Sequence, residues 1–160
     1  MNQVNQTLSA LGITLPDAPK PVASYVPAVL DGSLLYVSGQ IPLVNGEVTA
    51  VGTVPSVVDP EAARAAARIC AINALAVARD ALEGDLDRII QVVRLGVFVA
   101  SDADFTDQPL VANGASDLMV EVFGDRGRHA RAAVGASSLP LGVSVEVEML
   151  LAVEPTAPRR

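Results

Sequence analysis

Arg131, Glu146 and Glu148 are the residues of this chain whose types and spacing best suit chemistry. They lie in the run HARAAVGASSLPLGVSVEVE, residues 129–148. Successive side chains of a β-strand point to opposite faces. His129, Arg131, Ala133 and Gly135 therefore share one face, and Ala130, Ala132, Val134 and Ala136 the other. A guanidinium above alanine and glycine leaves room for a small anion, and its N–H fork grips a carboxylate through two parallel hydrogen bonds. On the next strand Val143, Val145, Val147 and Met149 face one way, while Ser144, Glu146 and Glu148 face the other. A glutamate facing a cleft can hold a water as general base, and beside Arg131 it would stay ionised. The blander readings are an exposed strand arginine and the ordinary alternation of a half-exposed strand.

Other candidates are single residues. His129 falls two positions before Arg131, hence in the same cleft, and is the chain's one histidine. It suits a rim or structural role there, with no G-x-S-x-G elbow to make it the base of a serine nucleophile. Ser38-Gly39-Gln40 ends an apolar strand, and glycine at that point lets a ligand approach the main chain. Asn113-Gly114 reads as a helix-entry turn. No G-x-G-x-x-G or G-x-x-x-x-G-K loop is present to cradle phosphates.

These residues need elements to hold them. Residues 4–11 read as a short helix closed by Gly12, and the four prolines from Pro16 to Pro27 predict an extended run. LLYVSGQI, ending at Ile41, is a strand, and Asn45-Gly46 is a type I′ hairpin turn with Glu47–Thr49 returning. Asp59-Pro60-Glu61 starts a helix that runs to about Glu83 and ends at Gly84. Ala65, Ile69, Ile72 and Ala76 mark its buried stripe, with Arg64 and Arg68 on another face and Cys70 a small core residue. Ile89–Ala100 predicts a central strand, with Gly96 marking a bulge or a close backbone approach. A second long helix begins near Gln108-Pro109 or at Ser116 and ends at Gly124. The expected fold is α+β: a two-layer sandwich of a mostly antiparallel mixed sheet with two helices on one face. We expect a single domain over 1–160, with 1–27 an N-terminal segment and 154–160 a tail.

Composition narrows the function classes. The 160 residues carry 18 acidic against 11 basic side chains, a net charge of −7, which repels nucleic-acid phosphates. The aliphatic stretches are interrupted too often for a membrane span. One cysteine and one histidine leave no structural zinc site and no intrachain disulfide. The N-terminus carries no secretion signal, so a reducing cytoplasm is expected. A core of small aliphatics buries little area per residue, which favours association between subunits.

Taken together, Tyr25 in SYVPAV, LLYVSGQIP at 34–42 and RAAVGASSLPLGVSVEVE at 131–148 resemble the Rid (reactive intermediate deaminase, or YjgF-type) family. The longer segment between 104 and 131 resembles an extended branch of it. The resemblance implies a Bacillus chorismate mutase-like fold, assembled as a homotrimer with ligand sites in clefts between subunits. It implies that Arg131 grips a substrate carboxylate, that Glu146 holds the hydrolytic water, and that Tyr25 lines the cleft from an adjacent subunit. Gly39 and Ala133 match positions offering backbone groups, and Asn113 matches an asparagine near the site. Ala133 stands where cysteine is frequent, and Ser24 where proline is common.

The implied reaction is hydrolysis of a reactive 2-imino acid, or its enamine tautomer, to a 2-keto acid and ammonia, with no metal or organic cofactor. The alternatives are a non-catalytic trimer that binds small carboxylates for sensing, and a chaperone-like scaffold. Ribonuclease activity, a label carried by some relatives, gains no support from the acidic charge.

Overall fold

Asp59 starts the longest helix by accepting from the amides of Glu61 (2.8 Å) and Ala62 (3.4 Å), with Pro60 in the first helical position. This cap satisfies amides that have no partner within the helix. The computed structural model describes residues 3–19 and 24–155. In chain order they form α1 (Gln3–Ala10), β1 (Ala28–Asp31), β2 (Leu34–Gln40), β3 (Leu43–Val44), β4 (Glu47–Val48), α2 (Pro60–Ala81), β5 (Ile89–Ala100), α3 (Gln108–Phe123), β6 (Ala130–Ala136) and β7 (Val145–Val153). Part of the proline run (residues 20–23) and most of the expected tail (156–160) lie outside the described residues.

β3 and β4 pair around Asn45-Gly46, both with positive φ, as a type I′ turn requires. The main sheet has order β1-β2-β7-β5-β6, antiparallel throughout except for the parallel pair β5 and β6. The fold is thus α+β with a mixed sheet. Helices α2 and α3 lie on one face, over Leu95, Val97, Val99, Val145, Val147, Met149 and Leu151. A third helix, α1, buries Val4 and Leu8 at the sheet's end, its first amides held by Asp87 at 2.7 and 2.8 Å. No helix of the described residues is long and apolar enough to cross a membrane.

Two expectations are corrected: Asn113-Gly114 is no helix-entry turn but lies inside α3, and the buried face of α2 has a different phase. Of the expected stripe on α2, Ala76 is buried, but Ala65 is exposed and Ile69 and Ile72 are half-buried; the buried face runs through Ala63, Ala66, Ala67, Cys70, Ala74 and Val77. The cause is α3. Arg64 and Arg68 turn toward it and pair with Asp117 (2.9 Å) and Glu121 (2.6 Å), and Gly114 packs on the Arg64 carbonyl so closely that a side chain would overlap it. The strands flanking Leu139-Pro140 do not pair with each other, because β5 lies between β6 and β7.

Candidate functional site

Register decides where the candidates point. Arg131 lies opposite Leu95 and Glu146 opposite Phe98, and Leu95 and Phe98 face opposite sides of β5, which carries no register shift between them. Arg131 therefore projects on the helix-covered face at the edge strand β6, and Glu146 on the uncovered face. The structure gathers the candidates into two groups, one on each side.

The first group is built around Arg131. Its Nη1 donates to Asn113 Oδ1 (2.8 Å) and to Ser116 Oγ (3.0 Å), both on α3. Ser116 Oγ lies 2.9 Å from His129 Nε2, and His129 Nδ1 lies 2.6 Å from the Gly127 carbonyl. A carbonyl only accepts, so Nδ1 carries the proton and Nε2 of the neutral ring accepts the Ser116 hydroxyl. Arg131 Nε and Nη2 bond to no described residue, which leaves one edge of the fork open for a carboxylate. Ala133 follows on the same face, half-buried against the core. In the sequence Ser116 stood only as an alternative helix start; the fold carries it to His129.

The second group surrounds Glu146. With Tyr25, Gly39, Gln40, Asn73 and Leu141 it lines a cavity of about 510 Å³. Gly39 leaves the Glu146 carboxyl its present place, since a Cβ there would overlap Glu146 Oε1. The register of β2 against β7 shifts between Val37 and Gln40, and Gln40 ties that bulge down by donating to the carbonyls of Ser38 (3.1 Å) and Gly39 (3.2 Å). Ser38 lines a separate hollow on the uncovered face with Tyr36, Arg94 and Glu148.

The two glutamates separate by partner. Glu148 accepts from Arg94 Nη1 at 2.9 Å over Gly96, whose missing side chain leaves the carboxylate its place. Glu146 makes no ion pair with a described residue. Burial, and then repulsion from Glu148, push its carboxyl above the ordinary range. An ionised Glu146 held low by Arg131 would need the two side by side, and within one chain the sheet separates them. Burial, and then the charge of Glu146, push the Cys70 thiol upward, so Cys70 is an inert core residue, as expected.

A model of the family described as "YjgF/chorismate_mutase-like, putative endoribonuclease" matches residues 5–153. Protein TCP17 of Trypanosoma cruzi is 46% identical over 150 residues, covering 93% of each chain. A 2-iminobutanoate/2-iminopropanoate deaminase of Dermatophagoides farinae is 30% identical over 142 residues, 89% of this chain and 95% of its own. A crystal structure of a protein of unknown function from Agrobacterium tumefaciens superposes with a TM-score of 0.89 at 47% identity, covering 95% of this chain and 93% of its own.

Proposed function

This chain belongs to the YjgF/chorismate mutase-like family, and on that premise we propose that it hydrolyses reactive 2-imino acids, or their enamine tautomers, to 2-keto acids and ammonia in the cytoplasm. The observation carrying this reading is the pair of unneutralised groups: the open edge of Arg131 and the half-buried, unpaired carboxyl of Glu146. They belong to opposite faces of one sheet, so the site forms when the Arg131 group of one copy meets the Glu146 group of another. The uncovered face carries Tyr36 and Val134, each about half exposed, an apolar surface suited to such a contact. A homotrimer closes the contact, with three equivalent sites.

The chemistry asks little of the protein. Arg131 fixes the carboxylate, with Asn113 and the backbone near Ala133 beside it. Tyr25 and the Gly39 main chain wall the other side, and Glu146 takes a proton from the water that adds to the C=N carbon. No metal or organic cofactor is required by these steps. A chain that stays unassembled still presents the Arg131 group, which favours simple carboxylate binding as the second reading. The test generates 2-iminopropionate in place with an amino-acid oxidase and follows its loss, with light scattering for mass. Acceleration by wild type is expected, with a much weaker one by Arg131→Ala at low imine concentration, where a raised KM tells most. A wild type that binds pyruvate without accelerating hydrolysis favours the binder, and a monomer removes the shared site.

A further inference from the structure

We propose that the cavity beside Glu146 holds the substrate's side chain and selects 2-imino acids bearing a medium-sized apolar chain over those with a small or acidic one. The inference deepens the reading above and rests on its placement of the carboxylate at Arg131 and of C2 near Glu146. Glu146 acts through a water that adds to C2, so C2 lies where Glu146 lines the cavity. Arg131 is not among the lining residues, and in the proposed assembly it comes from another copy. C2 is planar, with carboxylate, nitrogen and side chain spread around it. Drawing the carboxylate out to Arg131 therefore turns the other two inward. The nitrogen needs little room, yet the cavity measures about 510 Å³. That lies within the range of clefts that enclose drug-sized ligands, roughly 300–1,000 Å³. The methyl group of 2-iminopropionate leaves most of it unfilled.

The walls decide what fills it. Tyr25, Pro27, Ile41, Leu43, Pro140 and Leu141 supply apolar surface. Tyr25 and Leu141 are 55% and 72% exposed, large groups left open to water that an apolar chain would cover. The two amide side chains set into the cavity offer only acceptors. Asn73 Nδ2 is spent on the carbonyls of Ile41 and Leu43, at 3.0 Å each, and Gln40 Nε2 on those of Ser38 and Gly39. Their oxygens, Asn73 Oδ1 and Gln40 Oε1, accept from no described residue. Both residues are buried, and among the described residues no fully enclosed side-chain polar atom lacks a partner. The two oxygens therefore meet solvent, and the space beside both residues is this cavity. Glu146 adds a carboxyl, and no cation of the described residues lines the cavity. An acidic side chain would enter among acceptors with nothing to neutralise it.

The experiment uses pyruvate, 2-oxobutanoate, 4-methyl-2-oxopentanoate and 2-oxoglutarate. Calorimetric titration gives the affinity of each keto acid, and initial rates give kcat/KM for the matching imines, made in place with an amino-acid oxidase. Each methylene moved from water into the cavity should raise affinity about fourfold. 4-Methyl-2-oxopentanoate should therefore bind about 10- to 100-fold tighter than pyruvate, with kcat/KM of the imines ranked the same way. 2-Oxoglutarate should bind at least about tenfold more weakly than 4-methyl-2-oxopentanoate. Ile41→Ala and Leu43→Ala should each narrow the 4-methyl-2-oxopentanoate to pyruvate affinity ratio about three- to tenfold. A ratio taken within one preparation does not depend on the fraction folded, and either variant suffices if the other fails to fold. The subsite is overturned if affinity is flat or falls with chain length, if 2-oxoglutarate binds tightest, or if the variants leave the ratio unchanged. Affinity that climbs with chain length while no imine is turned over keeps the subsite and overturns the hydrolase. Turnover of every imine at equal kcat/KM keeps the hydrolase and overturns the subsite.

Discussion

The two halves of the site are built in opposite electrostatic styles. Around Arg131 every support is neutral and local: an amide, a hydroxyl and an imidazole, from α3 and the start of β6, hold an exposed guanidinium with one edge free. Around Glu146 the support is steric. Gly39 leaves the carboxyl room, burial and Glu148 disfavour its charge, and no cation of the described residues answers it. The arginine is ready to bind before anything arrives. The glutamate is a base held partly against its charge, which a cation from elsewhere would relieve, and the proposed assembly would bring another copy's Arg131 to it.

The largest effects should come from breaking each half separately. Arg131→Ala removes a charge-assisted fork, so pyruvate affinity should fall about 10- to 100-fold, with a matching rise in KM. Glu146→Gln keeps the shape and removes the base. Its kcat should fall at least about 100-fold while pyruvate binding persists. Calorimetric titration beside initial rates separates the two outcomes; if both variants lost binding equally, the division between binder and base would be wrong.

Next comes Gly39→Ala, which tests the steric half alone. The added methyl overlaps Glu146 Oε1, the far end of a flexible side chain, so the carboxylate moves and the backbone need not. Activity should drop about tenfold, as expected for a displaced catalytic group. The melting temperature should change little, and the Arg131 side should bind pyruvate as before. A collapse of stability would show instead that the bulge cannot yield.

Sequence alternation carried this comparison part of the way. It placed Glu146 and Glu148 together away from the core, put Arg131 above small residues, and located the Asn45-Gly46 turn and the Asp59-Pro60 helix start. Local rules govern all of these. Strand order is not local: nothing in the 129–148 run says that β5 inserts between its two strands and separates Arg131 from Glu146. The phase of α2 was hidden because alanines populate every side of it, so the hydrophobic stripe has little contrast until α3 is in place. Alternation alone could not choose between Glu146 and Glu148, which share a period; the family resemblance chose Glu146, and in the structure Arg94 sets Glu148 apart.

A smaller effect follows from the raised carboxyl of Glu146. A group whose folded pKa lies above its unfolded one favours the folded chain at low pH. That advantage is lost as pH rises through the folded value. At pH 7 to 8 the ionised carboxylate therefore opposes folding, and Glu146→Gln should melt about 1–3 °C higher than wild type while being inactive, the usual stability–activity exchange. Below the ordinary carboxylate range the gain should vanish. Assembly sharpens the point, because a partner's Arg131 would lower the Glu146 pKa. The stabilisation should shrink in concentrated, assembled protein relative to dilute protein in thermal scans across pH.

The smallest effect belongs to the pair that lies between the halves. Arg94 and Glu148 meet at 2.9 Å with side chains 44% and 41% exposed, so solvent screens them. Arg94→Ala should change single-chain stability by about 0–1 kcal/mol. Its consequence for Glu146 is the more telling one. Freed of Arg94, the Glu148 charge repels Glu146 more strongly and should raise its carboxyl further. The acid limb of the pH–rate profile, where Glu146 loses its ability to act as a base, should then move to higher pH in Arg94→Ala. An unchanged acid limb would mean that Glu148 does not govern Glu146, leaving burial alone to set the base.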